Sequence, residues 1–579
     1  MLHKDDTLLS AHAAATVHMT LSEVLVGPWG GGCGNCLAMR WQRLRSHVER
    51  DALEAGAGPR GSEGPPLVTD FLADVVWAHH EAGSRQGRRQ ALPQVTAVDI
   101  TTLLSRTVAL LPEPLCPTCG PVETDNAERA ALHLVSCPKP APSSYRLRTP
   151  HAFNLPETAL ANPVCGAVTS TTHADLMSYN GSPVSGSAAV RIATEGLVDI
   201  SFHGHTDSYA TSRAVAFIEG LERYAGLNRG RNAPFVTDTY ANRGDHALDP
   251  RARGVYRPEV YRHNQKLTPF DPDLPIPWVW GYSLRDERPL LIPARSVYYG
   301  SGTARENFVY ESSNGSASGS CLEEAILFGL LELIERDAFL LAWYGGVPLT
   351  EIDLTYHRSP ATRALIERIS LSGHNVRVFD NRLDMDVPAV TAVAIRRDGG
   401  AGLLSFAAGA SLDAAAAVHA AVSELAAVVP SLARRVNNRR AQLTEMADDF
   451  MKVQVLADHA ELYGLPRMAQ WASRYTGPSH AVPYAEIYAG WQARRPASTD
   501  LLHDLAHCRE QIVAAGHDVI VVETTTPEQL ACGLRCVATI APGMLPLDFG
   551  WEKQRALDLP RLTSRFHKDR LHLAPHPFP

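Results

Sequence analysis

At 579 residues, with 45% hydrophobic and 20% charged side chains, the chain has material for two or three domains of ordinary globular composition. A formal net charge of −8 argues against a nucleic-acid partner, and no apolar run approaches the ~20 residues needed to cross a bilayer. Ten cysteines are too few for a disulfide scaffold, and the start MLHKDDTLLSAHAAATVHM lacks the basic-then-apolar order of a secretory signal, so reduced thiols and a cytoplasmic location are expected.

Residues 1–140 read as a small helix-rich module, with helical periodicity around Leu67–Ala82 and Val98–Leu111 and a flexible loop over 55–66. It carries Cys33-Gly-Asn-Cys36 and Cys116-Pro-Thr-Cys119, whose four thiolates suit a tetrahedral Zn²⁺ with Zn–S distances of ~2.3 Å. A redox pair and plain core cysteines are the alternatives. Cys137, Cys165, Cys321, Cys508, Cys532 and Cys536 show no ligand spacing and are expected as buried thiols. The proline-rich stretch 136–150 reads as an interdomain linker, centred on 141–150. From 151 to 579 strand signals (Val376–Phe379, Val387–Ile395, Val519–Val522, Val537–Ile540) alternate with helices at Ser212–Ala225, Leu322–Tyr344 and Asp413–Ala427. That pattern predicts one large α/β domain with two related halves. Arg434, Arg435, Arg439 and Arg440 read as a solvated face at a helix end.

Two of these helices share a pattern. SRAVAFIEGLERYAG holds Glu219, Glu222 and Arg223, and LEEAILFGLLELIERDAF holds Glu324, Glu332, Glu335 and Arg336. Acids three apart share a helical face, and here that face is set among apolar residues, where paired carboxylates repel and resist desolvation. Glu324 precedes Glu335 by eleven residues, about three turns, so both can face one groove. Facing rows of acids suit Mg²⁺ ions that clamp a polyphosphate; a surface helix laced with local ion pairs is the plainer alternative. The loop SSNGSASGS (312–320) is small enough to present N–H groups to phosphate. No GxxxxGK[ST] occurs, which excludes a P-loop, and GGGCGN at 30–35 lacks the dinucleotide spacing.

HGHTDSYATSRAVAFIEGLERYAG (203–226) and ESSNGSASGSCLEEAILFGLLELIERDAF (311–339) resemble the nucleotide-binding segments of YcaO-domain proteins. PGMLPLDFGWEKQRALDLPRL (542–562) and the terminal PHPFP resemble the azoline-forming branch, whose members end in PxPxP. The resemblance implies a large YcaO-type ATP-binding domain and ATP-dependent cyclodehydration of Cys, Ser or Thr in a ribosomally made precursor peptide, of the thiazole/oxazole or thiopeptide kind. It implies that Glu219, Glu222, Glu324, Glu332 and Glu335 hold Mg²⁺ and phosphates, with Arg223, Gly319, Ser320 and Arg336 beside the nucleotide. Ser320 stands where many relatives carry Asn. Glu424 would join from the later helix, and Ala427 stands where relatives often have Gln. The carboxylate of Pro579 would sit near the reacting amide, whereas without the motif the chain end reads as a frayed surface. Forming a thioamide or amidine, or acting as a non-catalytic docking scaffold, are competing readings.

The cysteine module resembles the zinc-bearing part of ubiquitin-activating-like domains that accompany these enzymes. Only about 30 residues precede Cys33, too few for a leader-binding wing. The expected partners are therefore the precursor peptide and a separate leader-binding ubiquitin-activating-like (ThiF-like) protein. The resemblance adds an FMN azoline dehydrogenase acting afterwards, and a homodimer.

Overall fold

The computed structural model describes residues 16–20, 22–54, 69–86, 90–192, 196–227, 229–230, 233–355 and 359–578. Strands β1 (Val17–Met19), β2 (Glu23–Trp29), β3 (Gln94–Asp99) and β4 (Ser105–Ala109) form an antiparallel sheet in that order. Helix α1 (Gly34–Arg43) packs on one face and α2 (Asp70–Gln86) on the other. The helix expected near Leu67–Ala82 is α2. The helix expected at Val98–Leu111 is instead the end of β3, a turn and β4. Val95 and Ala97 meet Leu37 and Trp41 of α1, while Val98 meets Leu72 of α2. Ser105, Arg106 and Thr107 of β4 are exposed, so pairing with β3 rather than burial of an apolar face makes this stretch a strand. The loop expected at 55–66 lies outside the described residues.

The stretch expected as a linker is built into the large unit. The Cys137 N–H donates to Asp500, Lys139 forms a 2.5 Å buried ion pair with Asp504, and Tyr145 is buried.

The large unit begins with the hairpin β5 (Val184–Ile192) and β6 (Gly196–Gly204), on which α3 (Tyr209–Leu227) packs. Next come β7 (Ile276–Ser283), β8 (Arg288–Pro293), β9 (Ser316–Gly319), α4 (Leu322–Gly345), β10 (Thr350–Asp353), α5 (Pro360–Leu371), β11 (His374–Asp380), β12 (Ala389–Arg396) and β13 (Leu404–Ala410). The chain continues through α6 (Ala414–Asn438), α7 (Leu501–Ala514), β14 (Ile520–Glu523) and β15 (Arg535–Ile540). One sheet runs β8-β7-β14-β15-β9 and a second runs β13-β12-β11-β10, with all these pairings antiparallel. The expected α/β class holds, and the four strand signals of the sequence fall on β11, β12, β14 and β15.

Helix α4 is the axle of this unit. It packs on β9 and β15 of the first sheet, on β12 and β13 of the second, and on α7. Its apolar residues therefore run all round, as a fully enclosed helix requires. Gly346, in the left-handed region at φ 66°, closes its C-terminus. Helix α6 is long and apolar enough to cross a bilayer by composition, yet Val418, Ala421, Val422 and Leu425 are buried in the same core as α4.

Candidate active site

Helices α3 and α4 both pack on β9 and β15, which brings the two ExxER segments together, while α6 lies on β12 and β13, against which α4 also packs. Glu219 accepts from the His203 N–H at 2.7 Å and pairs with Arg223 at 2.6 Å. Glu332 pairs with Arg336 at 2.7 Å and accepts from the Gly315 N–H at 2.6 Å. Gly315 lies at φ 79°, and a Cβ there would stand 2.1 Å from the Thr539 carbonyl, so only glycine lets the loop turn this N–H onto the acid. Arg336 is held from its other side by Asn314.

The remaining acids are short of cations. Burial, with Glu332 next, pushes Glu222 up to about 7. Burial, then Glu424, pushes Glu335 up to about 8, and burial pushes Glu424 up to about 7 against the opposing pull of Arg336. Burial raises Glu332 as well. These mutual effects place Glu222, Glu332, Glu335 and Glu424 in one electrostatic site. Glu219, Glu222, Glu332, Glu335 and Glu424 are all half-buried, as in the walls of a groove. Five carboxylates sharing Arg146, Arg223 and Arg336 form a site that a hard divalent cation would neutralise.

Glu324 is the most enclosed of the set. Its carboxylate accepts from Ser320 through N and Oγ, from the Leu147 N–H, and from Arg146 at 3.2 Å. Arg146 also donates to the Ser318 carbonyl and lies over the Phe328 ring, 3.4 Å from its centroid. Gly319 fits tightly, since a Cβ there would stand 2.5 Å from the Ala325 nitrogen. Sequence reasoning missed Arg146 because it lies in a proline-rich stretch with no motif of its own. It also missed Asn314, although that residue sits in the SNG loop.

Beyond Arg336 the same helix meets a different arrangement. Asp337 forms a forked pair with Arg561, which also grips Asp384 at 2.7 Å. Asp548 pairs with Arg555 at 2.7 Å, and Arg555 reaches Glu311, which Arg253 holds at 2.8 Å. The Leu545 N–H donates to Asp337. The 542–562 segment thus wraps the C-terminal half of α4 through buried, matched ion pairs.

The chain then enters the core. Trp343 Nε1 donates to the Ala574 carbonyl at 3.0 Å, Tyr463 Oη donates to the Pro575 carbonyl at 2.7 Å, and Phe578 meets Phe339. His576 stacks on His459 at 4.2 Å. His459 Nε2 accepts from the Gly550 N–H and its Nδ1 faces the His576 carbonyl, an arrangement met by a neutral ring; burial pushes its pKa down to about 4. Residues 574–578 are buried rather than frayed, and Pro579 lies outside the described residues.

Cys33, Cys36, Cys116 and Cys119 converge from the start of α1 and the loop after β4; Cys33 Sγ lies 3.7, 3.5 and 3.4 Å from the sulfurs of Cys36, Cys116 and Cys119, and Cys36 Sγ lies 3.2 Å from that of Cys119. A tetrahedron with arms of about 2.3 Å has edges of about 3.8 Å, so the donor set fits zinc. Burial pushes the Cys36 thiol up to about 12, and the Glu113 N–H points at its sulfur. The Glu113 carboxylate meets Arg40, Arg43 and the Tyr224 hydroxyl, and Tyr224 follows Arg223 in α3. The six other cysteines were expected as buried or incidental thiols without ligand spacing. Two of them, Cys137 and Cys321, instead meet beside Glu323. Nothing in their spacing, far apart in the chain, signals this.

The fold resembles a heterocyclase solved in complex with substrate and cofactor, with TM-score 0.73 and 23% identity over 97% of this chain and 77% of that one. It also resembles the heterocyclase TruD, with TM-score 0.65 and 24% identity over 97% and 75% of the two chains. The family follows from sequence. The model described as YcaO cyclodehydratase, ATP- and Mg²⁺-binding, matches residues 203–545, more than half of the chain, which belongs to that family. An uncharacterized protein of Methanothermobacter thermautotrophicus is 30% identical over 266 residues, 45% of this chain and 63% of its own length. An uncharacterized protein in the tfuA 3′ region of Rhizobium leguminosarum bv. trifolii is 24% identical over 47% of this chain and 61% of its own length. The chain thus spans less than two thirds of the length of either relative.

Proposed function

We propose that this chain is an ATP-dependent cyclodehydratase that closes thiazoline or oxazoline rings in a ribosomally made precursor peptide. The observation that carries the reading is the half-buried groove in which five carboxylates on α3, α4 and α6 outnumber the arginines Arg146, Arg223 and Arg336 around them. Glu219, Glu222, Glu324, Glu332 and Glu335 would hold Mg²⁺, with Arg223, Arg336, Gly319 and Ser320 beside the phosphates and Glu424 opposite them. Bound Mg²⁺ would neutralise the triphosphate and the acids together. The peptide's thiol or hydroxyl adds to the preceding amide carbon, the former carbonyl oxygen accepts the γ-phosphoryl group of ATP, and loss of phosphate with the amide N–H proton leaves the C=N bond of the ring. The products are ADP, phosphate and a peptide lighter by one water.

The tail would act as a positioned terminus. Its prolines limit the entropy lost on docking, and Trp343, Tyr463 and His459 hold the carbonyls of residues 574–576. The carboxylate of Pro579 would then hold or accept a proton at the reacting amide. Cys33, Cys36, Cys116 and Cys119 would carry a structural Zn²⁺ with a closed shell. A separate leader-binding, ThiF-like protein would deliver the peptide, and an FMN azoline dehydrogenase would act on the product; a homodimer and a cytoplasmic setting complete the reading. Removing Pro579 alone should abolish ring formation while leaving the buried anchor at 574–578 intact. The direct test combines the chain with a leader-binding protein and precursor encoded beside it. ATP consumption matched to loss of one water per ring supports the proposal, and absence of both overturns it.

A further inference from the structure

Cys137 Sγ lies 3.6 Å from Cys321 Sγ and 3.4 Å from Glu323 Oε2, and all three ligand atoms lie within 4.8 Å of one another. Arms of about 2.3 Å to sulfur and 2.0–2.2 Å to oxygen give tetrahedral edges of about 3.8 Å between sulfurs and about 3.5 Å from sulfur to oxygen. The two edges from Cys137, 3.6 and 3.4 Å, are close to these.

The surroundings also fit a cation. Glu323 is only 3% exposed, and its hydrogen bonds come from the Val135 N–H at 2.7 Å and the Cys137 thiol, neither of which is cationic. A buried carboxylate so partnered keeps an unmatched charge, unlike the arginine-paired acids elsewhere in this molecule. Cys321 caps α4, and its sulfur accepts the Glu324 N–H at 3.4 Å, an N–H···S contact that orients and stabilises a thiolate ligand. Cys137 is fixed in turn, because its own N–H donates to Asp500 at 2.8 Å.

We infer that Cys137, Cys321 and Glu323 form a second site for a thiophilic divalent cation such as Zn²⁺, separate from the four-cysteine cluster and from the acid groove. Binding transfers the two thiol protons to water, forms two metal–sulfur bonds and one metal–oxygen bond, and leaves a fourth position for water. The ion ties residues 135–137 to the first turn of α4, one residue from Glu324 and next to Ser320. Occupancy of this site thereby steadies the Arg146–Glu324–Ser320 corner of the groove.

The test uses the full chain, stripped of metal under reducing conditions and titrated with Zn²⁺ and separately with Co²⁺. Cys321→Ser should hold one ion fewer per chain than the unsubstituted protein, whatever number the latter holds, and should lose part of the sulfur-to-cobalt absorption. Glu323→Gln provides a second variant if the first fails to fold, and should weaken the second ion by at least about tenfold. Equal ion counts in all three proteins overturn the inference. So does a Cys137–Cys321 disulfide forming in air while Zn²⁺ at saturation leaves both thiols open to alkylation. None of these readouts involves ATP or peptide, so the inference and the proposed activity fail separately.

Discussion

Two carboxylates on α4, Glu335 and Asp337, stand two residues apart and meet opposite surroundings. Asp337 is gripped by Arg561 in a forked pair that also takes in Asp384, and the neighbouring Asp548–Arg555–Glu311–Arg253 cluster is matched acid for base. Burial, then Glu424 and Glu332, pushes Glu335 up to about 8 against Arg336 and the Ala410 N–H. Burial alone therefore does not distinguish structural from functional charge. What distinguishes them is whether the protein supplies the counter-charge itself or leaves it to a ligand.

The largest effect should come from the matched side. Arg555→Met leaves Asp548 and Glu311 buried with one partner fewer and should cost about 3–5 kcal/mol of stability by chemical denaturation. A loss below about 1 kcal/mol would show that these pairs do not hold the fold. On the ligand-dependent side, Glu335→Gln relieves repulsion, so it should leave the melting temperature unchanged or higher while reducing ATP turnover by about a hundredfold or more. Full turnover in that variant would sink the metal-site reading.

Proton linkage sharpens the same comparison. Glu222, Glu335 and Glu424 are raised from 4.5 to about 7, 8 and 7, so the folded state holds protons that the unfolded chain releases near pH 4.5. Their contribution to stability is complete below that pH and is lost as pH rises through 7 to 8. The melting temperature of the metal-free protein should fall between pH 6 and 8.5, and saturating Mg²⁺ with a non-hydrolysable ATP analogue should flatten that slope. A flat profile without Mg²⁺ would show that the acids are not held protonated. The smallest effect concerns the route from the cysteine module to α3. Glu113→Gln keeps the N–H that faces Cys36 but weakens the carboxylate contacts to Arg40, Arg43 and Tyr224. Nucleotide binding measured by calorimetry should weaken a few-fold, with zinc content unchanged.

The amino-acid sequence determined the local pieces. The spacing of Glu219–Glu222 and Glu332–Glu335, the CxxC pairs and the apolar runs of α3, α4 and α6 follow from helix geometry and ligand chemistry, which act over a few residues. Their meeting is a tertiary fact. Sheet pairing brought β9 and β15 under both ExxER helices, and pairing with β3 made β4 a strand where local periodicity resembled a helix. Arg146, Asn314 and the Cys137–Cys321–Glu323 triangle left no trace in spacing, because each joins groups distant in the chain through packing alone. The balance of charge was decided in the same way. Glu335 and Asp337 are both acids on one apolar helix, and only the folded chain gives one an arginine pair and leaves the other facing acids in a groove.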